Sequence, residues 1–598
     1  MSPQLITLII IVFAILLLTV SRLRPDLIAL MVLLALGLSG VVNQSKIFSG
    51  FSSSAVITIL SISIISAALQ QTGIANALGK LIFRLSGRSE AVLILLVSLF
   101  SATLSLFMNN IAAVGVLMPA VMSLARRSQT PANRLLMPLA FGTILGGMAT
   151  LLTTSNIIVS GALKDAGFRP FGLLDYFPVG APVAAVGIIY LFTLGRKLLP
   201  KRKIGDSDAH PRVLSERLKE LYQLESNLTH IRVQKDSPII NKSVFAINRN
   251  DTPNLQFIRI IKPKSRSQSP DPDTFIQKGD ILILKGKVEP QVLQDLHLEP
   301  VPTASGTPVE ISDETSPLAE VILSPHSSLI GKSLCEMNFR SRFGLVVLGI
   351  WRHGAPLLEN ISVLPLNTGD ALLVQGSAEA IHRLQGNQDL LLLEEDPDTV
   401  FKPQKIIIAS IITILTLGFA ALDILPVAMV ALAGAVLLML TGCISLNDAF
   451  DRIEWKAIFL IAGMWPLSIA INESGLAANW INFLLNRFDS ASPLFIAALF
   501  VLLAMLFTQF MSGPVAPIII TPLALAAAKN LGIDPHPLAL AVALGCSLAF
   551  ITPLGHPVNI MVMNPGGYTF KDFFKVGWPL TLLAILTILG GLHLIWGL

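Results

Sequence analysis

Phe107-Met108-Asn109-Asn110-Ile111-Ala112-Ala113 lies between two apolar stretches and has a counterpart much later in the chain. Phe510-Met511-Ser512-Gly513-Pro514-Val515-Ala516 is 510 − 107 = 403 positions downstream, and the same shift takes Pro119 to Pro522, Gly142 to Gly545 and Asn156 to Asn559. One constant offset within two apolar regions indicates an internal duplication. Membrane proteins with two such halves, and with matching interruptions in their apolar segments, are typically secondary transporters whose site lies where the interruptions meet.

The composition agrees with a chain that lies mostly in lipid. Of its 598 residues, 53% are hydrophobic and 14% are charged, and apolar runs of membrane-spanning length occur at 5–20, 27–42, 406–421 and 580–596. The three cysteines are far apart and form no CxxC, which argues against a disulfide framework or a zinc site. The net charge of +5 comes largely from loops and a polar insert, so it does not indicate nucleic-acid binding.

Basic residues predict the orientation, because they concentrate on the cytoplasmic side of a membrane. Such residues cluster at 22–24, 80–88, 126–134 and 196–203. The segment between Arg88 and Arg126 therefore begins and ends on one side, while its middle contains the polar pair Asn109-Asn110. Polar groups at membrane depth are tolerated around a cavity. We therefore expect a re-entrant hairpin with its tip near mid-membrane.

The remaining first-half segments predict five crossings besides the hairpin, one of them interrupted at Thr153-Thr154-Ser155-Asn156. An odd number of crossings inverts the second half, which also begins in the cytoplasm near Lys405. Its hairpin tip would be Ser512-Gly513-Pro514, and its helix would be interrupted at Pro553–Asn559. The predicted fold class is a polytopic α-helical membrane protein, an inverted repeat with two re-entrant hairpins and two broken helices.

Residues 204–400 are charged and polar, and they are duplicated in their turn. Lys242-Ser243 matches Lys332-Ser333, Gly279-Asp280 matches Gly369-Asp370, and Gly286 matches Gly376, so the shift is 369 − 279 = 90. Alternating strands after the Gly-Asp pairs predict two small α/β domains, and Gly-Asp suits a tight turn better than a metal site. The expected domains are a first membrane half, 1–203, two inserted domains, 204–305 and 306–400, and a second membrane half, 401–598.

The inserted domains resemble the C-terminal domain of TrkA-type regulators of potassium conductance (RCK-C). The resemblance rests on Ile330-Gly331-Lys332-Ser333, on Leu366 to Asp370, and on Val374-Gln375-Gly376. The first copy has Asn241 where the second has Gly331. No GxG triplet occurs in the chain, so we expect no NAD binding. The resemblance implies a cytoplasmic regulatory or dimerising pair, 204–400, with an unidentified regulatory ligand.

The membrane halves resemble the divalent-anion/sodium symporters of the ion-transporter superfamily, at residues 107–119 and 552–559. Two RCK-C-like domains between the halves resemble the layout of its sulfate-type permeases. The resemblance implies a homodimer and Na⁺ as coupling ion. The basic composition is compatible with a protein of the cell (inner) membrane, and we expect no enzymatic activity, because no constellation of nucleophile, base and metal ligands emerges. The resemblance also implies two sodium sites and an anion site between the tips. The first sodium site would use Asn109, Asn110, Thr153, Thr154 and Asn156, the second Ser512, Gly513, Gly555 and Asn559, and the anion Asn110, Gly513, Ser512 and His556.

The residues support sodium independently of the resemblance. Interrupted helices expose carbonyls that suit a hard cation and amides that suit an anion. Neither tip and neither interruption contains Asp, Glu, Lys or Arg, whereas proton pumps usually need a buried carboxylate. Each residue also has a structural interpretation. Asn109 and Asn110 could join helices, Thr153 could bond to its own helix, and His556 could be a structural histidine.

The tips depart from the Ser-Asn-Thr signature with which family members hold carboxylates. Ile111 and Pro514 stand where threonines would, so a compact oxyanion fits better than a dicarboxylate, and sulfate is the predicted substrate. Alternatives on the same scaffold are dicarboxylate symport, sodium/proton exchange and arsenite transport. An RCK-gated cation channel is a weaker alternative, because no TVGYG-like filter occurs.

Overall fold

The computed structural model describes most of the two apolar halves and part of the insert. The described residues are 2–20, 23–72, 89–128, 130–200, 228–242, 256–261, 275–285, 293, 296–300, 318–324, 327–352, 355–357, 361–384, 387, 389–392, 403–487, 492–510 and 513–598. Two compact units emerge, one formed by Met1–Ile204 with Glu395–Leu598 and the other by Gly205–Glu394. The two apolar halves therefore pack together as one unit.

The described residues of the first half form helices joined by turns. Its helices are α1 (Pro3–Val20), α2 (Pro25–Ser39), α3 (Gln44–Ile47), α4 (Ser54–Gln71), α5 (Glu90–Ser105), α6 (Asn110–Arg127), α7 (Leu136–Gly147), α8 (Thr154–Asp165) and α9 (Phe177–Tyr190). A π-helical segment, Leu191–Gly195, and a last turn, Arg196–Leu198, continue α9. Proline within the first turn suits α2 and α9, since that position needs no amide donor.

The inserted unit contains two antiparallel sheets with matching strand orders, β2-β3-β1-β4 and β7-β6-β8-β5-β9. The strands are β1 (Leu228–Val233), β2 (Gln256–Ile261), β3 (Ile281–Lys285), β4 (Leu298–Pro300), β5 (Leu318–Leu323), β6 (Leu345–Arg352), β7 (Ala355–Leu357), β8 (Ala371–Gly376) and β9 (Leu390–Leu392). Two short helices, α10 (Phe339–Phe343) and α11 (Ala378–His382), accompany the second sheet. Each sheet has its own apolar core, around Ile231 and Leu282 in the first and around Val321 and Leu372 in the second.

The Gly-Asp pairs of the insert form turns. Gly279 and Gly369 have φ of 82° and 79°, which glycine adopts without strain. The Asp280 and Asp370 carboxylates accept hydrogen bonds from backbone amides three residues earlier, at 2.9 and 2.8 Å. These bonds agree with the turn interpretation. Asn241 has a φ of 60° and Gly331 one of 82°, so both stand in the left-handed region, where asparagine is tolerated. Ser243 and Gly286 lie outside the described residues.

The second half repeats the order of the first. Its helices are α12 (Pro403–Ala421), α13 (Val427–Leu440), α14 (Leu446–Asp451), α15 (Trp455–Glu473), α16 (Leu476–Arg487), α17 (Pro493–Phe510), α18 (Val515–Leu531), α19 (Pro535–Cys546), α20 (Pro557–Met563) and α21 (Phe570–Trp596). Helices α5 and α17 begin at Glu90 and Pro493, and α8 and α20 begin at Thr154 and Pro557. Both pairs differ by 403, the offset seen in the sequence.

The packing is reciprocal between the halves. Helix α2 packs on α15 while α13 packs on α4, and α5 packs on α7 while α17 packs on α19. Glycine makes the last two contacts close. A Cβ on Gly142 would lie 2.1 Å from Ser101 Oγ, and one on Gly545 would lie 2.8 Å from the Val501 carbonyl oxygen. The glycine pair related by the offset therefore has the same structural role in both halves.

Several helices are long and apolar enough to cross a membrane. Within the described residues they are Ser54–Gln71, Phe177–Leu198, Trp455–Glu473, Pro493–Phe510 and Phe570–Trp596. Several shorter apolar helices accompany them, including both arms of the first hairpin. With this content of apolar helices, the chain has the architecture of a membrane protein.

Candidate functional site

The tip of the first hairpin is the turn 106–109, between α5 and α6. The Asn109 side chain caps α6, because its Oδ1 accepts a hydrogen bond from the Ala112 amide at 2.7 Å. Asparagine is a favoured residue for this position. Its Nδ2 donates to Oε1 of Glu454, which immediately precedes α15 in the second half. Both the oxygen and the nitrogen of the Asn109 amide are therefore hydrogen-bonded.

Asn110 joins the first tip to the second half. Its Oδ1 lies 2.6 Å from Ser105 Oγ, and its Nδ2 lies 3.3 Å from His556 Nε2. The side chain is 8% exposed. Asn110 can lie here because residue 147 is a glycine. A Cβ at Gly147 would lie 2.6 Å from Asn110 Oδ1 and 2.5 Å from Thr153 Cγ2 and would clash with both. A residue of the first hairpin and a residue of the second interrupted helix thus meet.

The bonds of His556 determine its tautomer. Its Nδ1 accepts a hydrogen bond from the Val558 amide at 3.3 Å and so caps α20. In a neutral imidazole only one ring nitrogen accepts, so the proton is on Nε2. Nε2 faces the side-chain amide of Asn110 in the other half. His556 therefore has both a capping role and a contact across the two halves.

The first interruption, hereafter the first break, spans residues 148–153. It lies earlier than the predicted Thr153–Asn156, because α7 ends at Gly147 and α8 already begins at Thr154. Asn156 belongs to the first turn of α8 and reaches back into the break. Its Nδ2 donates to the carbonyl oxygens of Thr150, at 2.7 Å, and Gly147, at 3.4 Å. Its amide nitrogen thus organises the break and leaves its oxygen available.

Three buried oxygens of this region have no hydrogen-bond donor among the described residues. They are Thr150 Oγ1, Thr153 Oγ1 and Asn156 Oδ1, on side chains that are 5%, 6% and 0% exposed. Thr153 occupies the capping position of α8 but makes no capping bond. Buried polar atoms are normally paired, so unpaired acceptors that share one short segment fit a bound cation. The donor set is neutral oxygen, which suits Na⁺.

The second interruption, hereafter the second break, repeats the asparagine. It spans residues 547–556, from the end of α19 to Pro557, and therefore begins earlier than the predicted Pro553. Asn559 Nδ2 donates to the carbonyl oxygens of Ala549, at 2.7 Å, and Thr552, at 3.3 Å. Its buried Oδ1 has no donor among the described residues. The asparagines related by the 403 offset thus make the same kind of contact, since each donates to two backbone carbonyls that precede its own helix.

Gln509 stabilises the second break, and the sequence analysis missed it. Its Oε1 accepts from the Thr552 amide and hydroxyl, both at 3.2 Å, and its Nε2 donates to the Leu548 carbonyl oxygen at 2.9 Å. The side chain is 6% exposed. The sequence does contain a signal for this role, because Gln509 is a polar residue at the end of the apolar run that forms α17.

The remaining predicted residues are placed as follows. Gly555 packs beside Gln509, since a Cβ there would lie 3.1 Å from Gln509 Oε1. At Gly513 a Cβ would find no atom of the described residues within 4 Å, so this glycine borders open space among them. Thr154 is the half-buried first residue of α8. Ser512, predicted for both the anion and the second sodium, lies outside the described residues.

Glu454 is the other residue that the sequence analysis missed. Neither tip nor break contains a charged residue in sequence, yet the fold brings this carboxylate to the first tip. The 403 offset pairs Glu454 with Phe51, so the duplication offered no signal for it.

A small apolar pocket lies near the site without belonging to it. It is bounded by Phe107 of the first tip, by Leu152 of the first break and by side chains of α4, α12 and α13. Its lining is hydrophobic apart from two threonines, so it offers little to a divalent anion. We therefore place the candidate site at the tips and breaks.

Comparison with known proteins identifies relatives along the whole chain. The model of the citrate transporter family (CitMHS) matches residues 10–516 and 513–597. An uncharacterized transporter of Synechocystis is 31% identical, over 97% of this chain and 95% of its own. Sodium/sulfate cotransporter 1 of Chlamydomonas reinhardtii is 20% identical, over 90% of this chain and 83% of its own.

Two other comparisons are weaker. Na(+)/dicarboxylate cotransporter 3 of Mus musculus is 29% identical, over 24% of each chain. Among solved structures, the YdaH transporter of Alcanivorax borkumensis aligns with a TM-score of 0.43 at 14% identity, covering 100% of this chain and 99% of that one. The relatives named here are transporters, and two of them are named for sodium with sulfate and for sodium with dicarboxylates.

Proposed function

Because this chain belongs to the citrate transporter family, we propose that it is a secondary active transporter that couples Na⁺ entry to the uptake of a small divalent oxyanion, sulfate. The two halves would be inverted in the membrane and would alternate access to the site between them. The proposal extends to the setting of the protein, a homodimer in the inner membrane with the RCK-C-like insert as a cytoplasmic regulatory pair.

The observation that most supports sodium is the matched pair Asn156 and Asn559. In each half the amide nitrogen is committed to carbonyls of the break, so the amide oxygen remains an acceptor with no described donor. Water would satisfy one such oxygen, but at the first break two threonine hydroxyl oxygens join it. Several acceptors without donors favour a cation over water.

The anion would lie where Asn110 and His556 meet, extending towards the open space at Gly513. Helices α6, α8, α18 and α20 each begin directly after a tip or a break, and the N-terminal ends of helices attract anions. His556, with its proton on Nε2, would offer an N–H, and Asn110 would offer an amide group. Ser512 would complete the set.

Sulfate is proposed over a dicarboxylate on the chemistry of the tips. Ile111 follows Asn110 and Pro514 follows Gly513, so neither tip supplies the threonine hydroxyl that family members use to hold a carboxylate. A compact oxyanion can be held by few amide and imidazole N–H groups. The relatives' names include sulfate and dicarboxylates, so dicarboxylate symport is the second candidate.

The test is uptake of radiolabelled sulfate into proteoliposomes, with an inward sodium gradient or with sodium replaced by N-methylglucamine. We expect sodium-driven uptake by the wild type and its loss in Asn110→Ala. The matched control is Asn43→Ala, an exposed cap of α3, which should transport normally. Sodium-driven uptake of a C4 dicarboxylate that sulfate does not inhibit would contradict the sulfate assignment, and uptake independent of sodium would contradict the coupling.

A further inference from the structure

Glu454 is the one carboxylate for which the described residues show a hydrogen bond to a tip or break residue outside its own half. It precedes α15 in the second half, and its Oε1 accepts from Asn109 Nδ2 in the first tip. The rest of the tip's polar contacts are made by neutral groups. A charged acceptor makes this hydrogen bond stronger than a neutral one would.

The contact is well placed to control the tip. Asn109 Oδ1 caps α6 through Ala112 while its Nδ2 holds Glu454, so one side chain ties the start of α6 to the start of α15. The next residue is Asn110, with its contact to His556. A shift of Asn109 would therefore also displace Asn110.

The contact is also asymmetric. The residues related to Asn109 and Glu454 by the offset are Ser512 and Phe51. Phe51 instead packs edge-on against Phe459, with ring centroids 5.8 Å apart. A negative charge therefore accompanies the first tip, and the corresponding position of the other half is aromatic.

We propose that Glu454 is a positioning residue that fixes the first tip through Asn109 and, by its charge, raises the affinity of the adjacent cation site. This inference rests on the proposed function for its cation, but the contact itself does not depend on the substrate. The anion would lie on the far side of Asn110, towards His556, where repulsion by Glu454 is weaker.

The experiment exchanges the donor and the acceptor. Asn109→Asp places two carboxylates against each other, and adding Glu454→Gln restores a hydrogen bond in the reverse direction, while the introduced aspartate can still cap α6. We expect the single Asn109→Asp variant to lose about tenfold or more in uptake, and the double variant to recover to within about threefold of wild type. An equal defect in the double variant would overturn the proposal.

Glu454→Gln alone keeps an acceptor for Asn109 but removes the charge. We expect the sodium concentration for half-maximal uptake to rise about fivefold, with the sulfate KM unchanged. Glu473→Gln is the matched control, because it removes a carboxylate at the opposite end of the same helix, where Lys46 binds it. A sodium dependence equal to wild type in Glu454→Gln would overturn the role of the charge.

Thermal stability of the purified protein separates this inference from the transport proposal. The melting temperature is measured with and without sodium for the wild type, the two single variants and the double variant. These temperatures report the contact between Asn109 and Glu454 whether or not sulfate is the substrate. We expect Asn109→Asp to lower the melting temperature and the double variant to restore it. Strictly additive shifts would overturn the contact, whereas absent sulfate uptake with a restored melting temperature would overturn only the substrate.

Discussion

The first and second breaks contain the same asparagine but differ in what surrounds it. Asn156 and Asn559 each donate to two carbonyls of their break and leave a buried oxygen without a described donor. At the first break, threonine oxygens are also unpaired. At the second break, Gln509 and Gly555 engage the Thr552 hydroxyl. On the proposed function, the two breaks would therefore bind cations with unequal strength.

The residues at the N-terminal capping positions of α8 and α20 also differ between the two halves. The 403 offset relates Thr153 to His556, and both precede a helix. His556 caps α20 and reaches Asn110 in the other half, whereas Thr153 makes no capping bond. The residue related to Asn110 is Gly513, which has no side chain to offer. One half thus supplies more of the proposed cation ligands, and the other supplies the imidazole.

The largest effect is expected from Gly147→Ala. The new Cβ would lie 2.6 Å from Asn110 Oδ1 and 2.5 Å from Thr153 Cγ2, so it would displace both the tip and the first break. We expect uptake to fall about 100-fold, since a misplaced site loses its geometry. Initial uptake rates in proteoliposomes measure it, and near-normal transport would contradict the geometry described for the first tip.

A smaller and unequal effect is expected from the two asparagines. Asn156→Ala should raise the sodium concentration for half-maximal uptake about 30-fold, and Asn559→Ala about tenfold, because each loses a ligand and leaves carbonyls unpaired. Sodium titrations of uptake give both values. Equal increases in this sodium concentration would contradict the inference that the two breaks bind sodium with unequal strength.

Gln509→Ala tests how the second break is held. The substitution leaves the Thr552 amide and the Leu548 carbonyl without their partner, at a cost of about 1–3 kcal/mol in stability. We expect a lower melting temperature with a sodium dependence close to wild type. Leu506→Ala, an exposed position on the same helix, is the control. An unchanged melting temperature for Gln509→Ala would contradict its structural role.

The smallest effect is expected from Gly513→Ala. Its Cβ would meet no atom of the described residues within 4 Å, so folding should be unaffected. If the anion occupies that space, the sulfate KM should rise about threefold while the sodium dependence stays constant. Competition uptake assays measure the KM, and an unchanged KM would show that the anion does not occupy the space beside Gly513.

The sequence predicted the framework of the fold better than the contacts of the site. The starts of α5 and α17, and of α8 and α20, differ by the same 403 positions as the sequence matches, as expected if a duplication preserves the spacing of helices. The limits of the breaks were wrong, because Asn156 and Asn559 reach back from a helical turn rather than lie in the breaks. Membrane orientation, dimerisation and the roles of the site residues stay predictions.

Glu454 shows why the remaining contacts escaped prediction. It lies 345 residues from Asn109, and its offset partner is Phe51, so neither proximity nor duplication indicated it. Gln509 is closer to its tip, but its importance depends on Thr552, which lies 43 residues further along the chain. Such contacts follow from tertiary packing, which a single sequence does not specify.

The central claim is a sodium site at the first break, and direct binding of radiolabelled sodium to the purified protein tests it without any transported substrate. Thr153→Val removes only the unpaired hydroxyl oxygen, and Thr143→Val is the matched control, since its hydroxyl bonds to the Ala140 carbonyl of its own helix. The account predicts saturable binding in the wild type and control, weakened about tenfold in Thr153→Val. Identical binding by all three proteins would contradict it.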